Sequence, residues 1–347
     1  MDWQYPPEVC QWDITSRCNL KCRHCRAIGS WQANGEADFA TVISVLEQLI
    51  SFAPNVHLAL AGGEPLLRQD LKEILVWLKG KTELVWVGLL TNATLISQDN
   101  ISWLKELVDG FNIGLEGASE EINDLIRGEK SFRNALKGIS ILVRCGAQVT
   151  IRMTYFPEFH QEKDVEDLMK FLPEIGVRSF NFRYIVPVGR AENSNRIDRE
   201  QYKRLCERIW ALGSELNLEI GFSDPFPELL INEVRKREIE EDKGLKVGEA
   251  VTGCSMGFSL LYIDPQGIVK ACPYFPLECG DARTTSLEEI WFKSKTLEKI
   301  RWMRGCLRGK CGQCEYKFAC GGCRGAAWAH GDFLGADPRC WKAIKMP

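Results

Sequence analysis

The sequence predicts an α/β protein in which a parallel sheet forms a partial (β/α)6 barrel, followed by a small loop-rich domain. Up to about residue 220, short apolar runs alternate with longer amphipathic segments about six times, as in strands alternating with helices. Beyond a run of charges at 236–246 the periodicity stops, and Gly and Cys become frequent. We therefore expect a core domain at 1–235, a linker at 236–250 and a second domain at 251–347, held by metal rather than by a large core.

Each element is predicted from the spacing of its apolar residues. Strands are predicted at 9–14, 56–61, 84–90, 111–115, 148–155 and 180–186, and helices at 39–52, 71–78, 101–108, 133–145, 165–171 and 201–216. In parallel α/β folds, chemistry is carried at the carboxyl ends of the strands. Because Cys18, Gly63 and Asn92 each fall just after a predicted strand, we expect them to share one rim of the barrel.

Length and charge exclude several classes of protein. The chain has 347 residues, 45% of them hydrophobic, which is enough to bury a sizeable core. Its net charge of −3 argues against a nucleic-acid partner, because such proteins usually present a basic face. No apolar run approaches the roughly 18–20 residues of a membrane span, and the N-terminus lacks a secretory signal pattern. We expect a cytoplasmic protein without a membrane partner.

Cysteine is the unusual component. There are 15 cysteines; three lie between positions 18 and 25, and nine lie between positions 254 and 340. In the reducing cytosol a disulfide framework is disfavoured. Such a density of thiols therefore predicts metal binding.

The first cysteine group reads Cys18-Asn-Leu-Lys-Cys22-Arg-His-Cys25. Three thiolates at this spacing can each bind one corner of a cubane cluster, which leaves the fourth iron without a protein ligand. An open position is what a reactive site needs, whereas a structural site is closed. The alternative is a zinc site that uses His24 as the fourth ligand. It is disfavoured because adjacent side chains in an extended loop point apart.

Together with Gly62-Gly63-Glu64 after the second predicted strand, this Cys-x3-Cys-x2-Cys motif resembles the signature of the radical S-adenosylmethionine (SAM) superfamily. The resemblance implies a [4Fe–4S] cluster on the three cysteines, whose open iron is chelated by the amino and carboxylate groups of SAM. The resemblance also implies that Gly62, Gly63 and Glu64 hold the amino group of SAM. His24 takes the loop position whose backbone meets adenine.

Three further SAM contacts are implied by the resemblance. Asn92, Glu116 and Arg152 sit at strand ends that line the cofactor in relatives. The alternative for each is an ordinary turn or a surface charge. Arg152 is the strongest, because an alternating strand can point it inward beside the methionyl carboxylate.

The C-terminal cysteines resemble the SPASM domain, which carries two auxiliary [4Fe–4S] clusters in some radical SAM enzymes. The pattern is Cys254-x12-Gly267-x4-Cys272, then Cys311-x2-Cys314-x5-Cys320-x2-Cys323, then Cys340. The family's ligand pattern implies one cluster on Cys254, Cys272 and Cys323, and another on Cys311, Cys314, Cys320 and Cys340. Cys279 is a candidate fourth ligand of the first cluster, or that iron stays open. A zinc ribbon is the alternative for the two Cys-x2-Cys pairs.

The resemblance also implies an activity. Reductive cleavage of SAM would give a 5′-deoxyadenosyl radical, which abstracts hydrogen from a substrate, with the electron coming from a donor such as flavodoxin or ferredoxin. Most SPASM relatives modify peptides or proteins, so we expect a peptide maturase. The short Cys320-to-Cys323 spacing followed by Arg324 resembles instead a haem-forming branch, and tetrapyrrole side-chain modification is the alternative. A third possibility is a non-catalytic Fe–S electron carrier, against which the Gly-Gly-Glu motif argues.

The segment before the first strand and three side chains near the barrel mouth give two further expectations. Only about eight residues precede the first predicted strand, so a peptide substrate would need a separate partner or direct docking. Tyr155, Arg183 and Tyr184 are candidates for the barrel mouth, although aromatic strand residues more often belong to a core.

Overall fold

The structure is a computed structural model that describes residues 4–27, 35–194, 196–232 and 253–342. The linker predicted at 236–250 lies outside these residues. No helix in the described ranges combines the length and apolar character needed to cross a membrane.

In the part of the chain that the structure describes, ten strands, numbered β1 to β10 along the sequence, form one sheet in the order β10-β9-β8-β1-β2-β3-β4-β5-β6-β7. Seven successive strands are parallel: β1 (Val9–Asp13), β2 (His57–Ala61), β3 (Trp86–Thr91), β4 (Gly110–Gly114), β5 (Val149–Tyr155), β6 (Ser179–Tyr184) and β7 (Glu219–Phe222). Beyond β1, the C-terminal region adds β8 (Leu260–Ile263), β9 (Ile268–Lys270) and β10 (Glu278–Asp281). Strand β8 runs parallel to β1, and β9 and β10 follow antiparallel. The two halves of the chain therefore share one sheet.

Helices connect the parallel strands as in other α/β folds. They are α1 (Phe39–Phe52), α2 (Leu71–Lys79), α3 (Ile101–Leu107), α4 (Glu120–Arg127), α5 (Ser131–Arg144), α6 (Glu162–Glu174), α7 (Arg199–Leu216) and α8 (Pro227–Ile231). Helix ends follow local chemistry: Asp38 accepts a hydrogen bond from the backbone of Thr41 at the start of α1. Asn217, in the left-handed conformation, ends α7.

Successive side chains of a barrel strand point alternately into the hydrophobic core and towards the cavity. In β5 the side chains of Val149, Ile151, Met153 and Tyr155 are buried in the hydrophobic core, and Arg152 and Thr154 between them face the other side. The pattern therefore places polar β5 side chains on the inner surface of the barrel.

The predicted fold class is confirmed, and each predicted strand and helix is present with its ends shifted by at most three residues. Helix α4 and strand β7 were not predicted, because both are short and carry few apolar residues. The expectation that the C-terminal domain lacks a sizeable core was wrong. Its strand β8 and the helices Leu287–Lys293 and Lys295–Trp302 bury apolar side chains in the same core as the barrel. These elements are too short for the periodicity to be visible.

Candidate active site

The loop after β1 carries the first three cysteines and is held against the loop after β2. The backbone N–H of Gly63 donates to the carbonyl of Thr15 at 2.9 Å, and that of Glu64 donates to the carbonyl of Arg17 at 2.8 Å. Gly62 has a φ of +143°, and a Cβ atom there would lie 2.4 Å from the Thr15 oxygen. A Cβ atom at Gly63 would lie 2.2 Å from the oxygen of Arg17. The Gly-Gly pair is thus required for the close approach of the two loops.

The three thiols of this loop differ in exposure. Cys18 is exposed, and Cys22 and Cys25 are half-buried. Burial raises the pKa of Cys22 to about 11, although Arg127 opposes the rise, and the charges of Cys25 and Cys18 add to it. Three free thiols grouped on one open loop are the donor set that an iron–sulfur cluster uses, so these residues fit the implied group.

The ring of His24 lies beside Glu116 rather than in the position of a metal ligand. Its Nε2 lies 3.5 Å from Oε1 of Glu116, and burial lowers the pKa of His24 to about 4. Across the described ranges, no three His, Cys, Asp or Glu side chains are close enough to hold a single metal ion.

Glu64 links the first cysteine loop to the end of β3. Its buried carboxylate accepts hydrogen bonds from the hydroxyl of Thr91 at 2.8 Å and the backbone N–H of Asn92 at 2.7 Å. Burial raises the pKa of Glu64, against the effect of these bonds. The side chain of Asn92 in turn donates to Asn19 at 2.9 Å. The structure therefore brings Glu64, Asn92 and the cysteine loop together, as expected for one rim.

Glu116 lies behind the cavity surface. Its fully buried carboxylate accepts two hydrogen bonds from Arg127, at 2.6 and 3.0 Å, and one from the backbone of Thr154 at 2.8 Å. Burial raises the pKa of Glu116, but Arg127 and His24 outweigh it and lower the pKa overall. Arg127, on the missed helix α4, lines the cavity instead. The amphipathic segment 120–127 was the available signal.

Two adjoining cavities connect the cysteine loop with the C-terminal thiols. The first, of about 230 Å³, is lined by Cys22, His24, Cys25, Gly62, Asn92, Arg127 and Arg152, among others. The second, of about 400 Å³, is lined by Cys254, Cys272 and Cys323 on one side. Arg26, Arg152, Arg183 and Tyr274 line both cavities and so mark their junction.

Seven of the C-terminal thiols line two separate cavities. Cys254, Cys272 and Cys323 line the 400 Å³ cavity together, and burial raises the pKa of Cys272 to about 12. A separate small cavity of about 30 Å³ is lined by Cys311, Cys314, Cys320 and Cys340.

Cys279 stands apart from both groups. It lies on β10, lines neither the 230 Å³ nor the 400 Å³ cavity, and hydrogen-bonds with the backbone of Ala271. Burial raises its pKa to about 12, and its charged neighbours are Arg301 and Glu278 rather than a thiol. Cys254, Cys272 and Cys323 thus line the 400 Å³ cavity without Cys279.

Buried arginines, which the sequence analysis missed, support these thiols. The guanidinium group of Arg339 bonds to Asp224 at 2.8 Å and to Asp337 at 3.0 Å, with all three side chains buried. Asp337 also accepts the backbone N–H of Cys323 at 2.8 Å. Arg304 donates to the carbonyl of Cys254 at 2.9 Å. These contacts span more than a hundred residues of sequence in the case of Arg339 and Asp224.

Of the three side chains expected at the barrel mouth, one is there. Arg183 lines both cavities. Tyr155 and Tyr184 are buried in the core, where their hydroxyls donate to the carbonyls of His160 and Arg196. Tyr184 directly follows Arg183 on β6, so alternation turns it to the opposite face.

Known proteins resemble this chain over nearly its whole length. The family model of the radical SAM superfamily matches residues 12–172, and that of the SPASM iron–sulfur cluster-binding domain matches residues 254–315. The AdoMet-dependent heme synthase of Methanosarcina barkeri is 30% identical over 344 residues, which cover 96% of each chain. The chain belongs to the radical SAM superfamily, with a SPASM domain.

More distant relatives of this radical SAM protein have different names. The mycofactocin maturase MftC of Mycolicibacterium smegmatis is 27% identical, with 98% of this chain and 84% of the relative covered. Streptococcus suis SuiB bound to S-adenosylmethionine superposes with a TM-score of 0.77 at 19% identity, over 97% of this chain and 78% of SuiB. This structural likeness supports the fold alone.

Family membership settles the class of chemistry. The protein is a radical SAM enzyme whose cofactors are SAM and [4Fe–4S] clusters. The electron-carrier alternative is not favoured, because the relatives are named as synthases and maturases.

Proposed function

We propose that the protein cleaves SAM at the cluster of Cys18, Cys22 and Cys25 and uses the product to modify a peptide or protein. When bound, the cluster and SAM supply a 5′-deoxyadenosyl radical that abstracts hydrogen from a substrate carbon. The observation that carries this proposal is the pair of adjoining cavities, which run from Cys22 and Cys25 to Cys254, Cys272 and Cys323.

In this proposal the barrel rim holds SAM. Gly62 and Gly63 bring the backbone close to the cysteine loop, and Glu64, fixed beside Asn92, would hold the amino group of SAM. The backbone at His24 would hold adenine. Arg152, which projects from β5 into the cavity, would pair with the methionyl carboxylate. Glu116 acts indirectly, since its carboxylate fixes Arg127 at the cavity wall.

The protein must also position the substrate and exclude water from the cavity. A reactive carbon radical attacks any nearby bond, so the target carbon must be held within about 3–4 Å before cleavage. The larger cavity, enclosed between the strand ends and the C-terminal loop that bears Tyr274, supplies the space for the substrate.

We assign one auxiliary cluster to Cys254, Cys272 and Cys323, and the other to Cys311, Cys314, Cys320 and Cys340. The support is that the first three line the larger cavity and the other four line a cavity of their own. The first set leaves one iron without a protein thiol, because Cys279 lies elsewhere. These clusters would accept the electron released when the substrate radical becomes product.

A peptide is the first candidate substrate. Relatives named mycofactocin maturase and subtilosin biosynthesis protein AlbA share 27% identity with this chain. The larger cavity also presents Gln11, Asn181 and Ser223, whose amide and hydroxyl groups can bond with peptide N–H and C=O groups.

A tetrapyrrole is the second candidate, and a specific observation favours it. Arg183 lies at the junction of the cavities, where its guanidinium group would suit the carboxylate of a propionate side chain. Three relatives that match at least 95% of this chain are named AdoMet-dependent heme synthase.

We further propose that flavodoxin or ferredoxin donates the electron and that the protein works in the reducing cytoplasm. All 15 cysteines are free thiols in the structure, which agrees with a reducing compartment. In the domain division we propose, the radical SAM core is 1–235 and the SPASM domain is 251–347, joined by a linker at 236–250.

The test is anaerobic turnover of the reconstituted enzyme with candidate peptides and with iron-coproporphyrin. We expect substrate-dependent release of 5′-deoxyadenosine together with a mass change in one substrate class. Modification of iron-coproporphyrin alone would replace the peptide assignment with the tetrapyrrole one. Absence of 5′-deoxyadenosine with any substrate or none would contradict the proposed activity.

A further inference from the structure

We propose that Arg183 and Tyr274 form a carboxylate-binding subsite that makes this enzyme select acidic substrates. The inference rests on the proposed function and deepens it, because it names a chemical feature that either substrate class must carry. Both side chains line the junction between the cavity of the cysteine loop and the larger cavity.

The guanidinium group of Arg183 is held in place but is not saturated. One terminal nitrogen donates to the backbone carbonyl of Ser223 at 3.1 Å, and the group lies over the ring of Tyr274, 4.5 Å from its centroid. Its Nε atom is buried and has no hydrogen-bond partner among the described residues. A buried donor without an acceptor is unfavourable, so this atom indicates a missing acceptor in the cavity.

The charge around Arg183 leads to the same conclusion. In the described ranges, no acidic side chain lies within ion-pair distance of Arg183 or of Arg152. The neighbouring carboxylate of Asp224 is engaged by Arg339 at 2.8 Å, and that of Asp13 bonds with Arg26. Two half-buried guanidinium groups on adjacent strands therefore have no ion-pair partner among the described residues. Such charges are normally paired.

We assign Arg152 and Arg183 to two different anions. Arg152 is assigned to the carboxylate of SAM, which accounts for one negative charge. Arg183 lines the larger cavity together with Cys272 and Cys323. It is therefore left for an anion in the larger cavity. A planar guanidinium group binds a carboxylate through two parallel hydrogen bonds, and Tyr274 keeps the plane fixed.

Asp and Glu side chains of a peptide and the propionates of a tetrapyrrole share this chemistry. The competing explanation is that Arg183 only balances the negative charge of a cluster on Cys254, Cys272 and Cys323. The two explanations differ in what removal of the charge does: a substrate subsite changes ligand preference, whereas a cluster counter-ion changes the cluster.

The experiment measures binding to the anaerobic, SAM-loaded holoenzyme with matched probes. One arm compares coproporphyrin III with its tetramethyl ester. The other compares an octapeptide mixture with Glu at its centre with the same mixture carrying Gln. The variants are Arg183→Gln, Arg183→Lys and the control Arg178→Gln, which removes an exposed arginine just before the same strand.

We expect wild type and Arg178→Gln to prefer the carboxylate probe in at least one arm. Arg183→Gln should reduce that preference by roughly 10- to 100-fold, and Arg183→Lys should restore part of it. The arm that responds identifies the source of the carboxylate. Iron content and the absorption spectrum of each variant report whether the clusters are intact.

Two outcomes would overturn the inference. One is equal affinity of wild type for the charged and neutral members of both pairs. The other is a preference that survives Arg183→Gln while only iron content or cluster spectrum changes. Failure of the proposed activity is seen separately, as wild type that releases no 5′-deoxyadenosine from SAM under reduction.

Discussion

The two metal-binding regions of this enzyme are constructed differently. The first three thiols lie on one short loop after β1, where Cys22 and Cys25 line a cavity, and backbone contacts with Gly63 and Glu64 hold that loop. The C-terminal thiols come from segments spread over residues 254–340, and buried arginines connect those segments. Cys311 and Cys320 are buried, whereas Cys18 is exposed.

This difference agrees with different tasks. A cluster that must bind SAM needs an open face, so its thiols stand on a loop beside a cavity. A cluster that only transfers electrons is served by enclosure and fixed surroundings, as in the group of Cys311, Cys314, Cys320 and Cys340, of which Cys311 and Cys320 are buried. The loop is supported locally, and the C-terminal thiols are supported by long-range tertiary contacts. The following changes test that distinction.

The largest effect is expected from Cys22→Ala. Loss of one thiolate removes the first cluster, so release of 5′-deoxyadenosine should fall to background while the C-terminal clusters keep their iron. Chromatography of the products and iron analysis measure both quantities. Cys145→Ala, at a half-buried cysteine that ends α5, is the matched control and should retain activity. Full activity of Cys22→Ala would disprove the assignment of this loop.

Arg339→Met should be nearly as damaging, but through stability. It leaves the buried carboxylates of Asp224 and Asp337 without their cation, which should cost about 3–5 kcal/mol. Denaturant unfolding of the anaerobic protein and retained iron check this. Arg308→Met removes an exposed pair with Asp332 and should leave the free energy of unfolding almost unchanged, because water screens that pair. Equal losses in the two variants would show that the buried network does not support the C-terminal region.

Gly63→Ala should disturb the first region alone. The added methyl group would lie 2.2 Å from the Arg17 oxygen and 2.9 Å from Cys18 Cβ, so the cysteine loop must shift. We expect about 1–3 kcal/mol weaker SAM binding, measured by equilibrium dialysis. Gly305→Ala places its methyl group in open space and serves as the control. Unchanged SAM affinity in Gly63→Ala would contradict the packing role of this glycine.

The smallest effect is expected from Cys279→Ala. Because this thiol lies apart from the other cysteines, its loss should leave iron content unchanged and lower stability by about 1 kcal/mol. Cys272→Ala, by contrast, should lose the iron of the first auxiliary cluster. Iron analysis and Mössbauer spectra of the two variants compare them directly. If both lose the same iron, Cys279 is a ligand and the open position does not exist.

The same comparison explains what sequence reasoning could predict. The loop of Cys18 and the Gly62–Glu64 turn are local, so spacing and resemblance indicate both the motif and its place at a strand end. The alternation of apolar and polar residues in β5 predicted that Arg152 points inward, which the structure confirms.

Other parts of the site depend on contacts that no local pattern records. Arg127 reaches the cavity only because α4 packs beside the cysteine loop, with the carbonyl of Ile126 accepting the backbone N–H of Arg23. Arg339 meets Asp224 across 115 positions of sequence. The extension of the sheet by β8 was also missed, because a strand of four residues gives too little periodicity to predict its partner.

The most direct test of the account is the electron paramagnetic resonance spectrum of the reduced holoenzyme with and without SAM. An iron left open by Cys18, Cys22 and Cys25 should bind SAM, so the spectrum should change on addition of SAM in wild type. Cys22→Ala should show no change while keeping the auxiliary signals. A wild-type spectrum that does not respond to SAM would contradict the claim that this loop holds a cluster with an open iron.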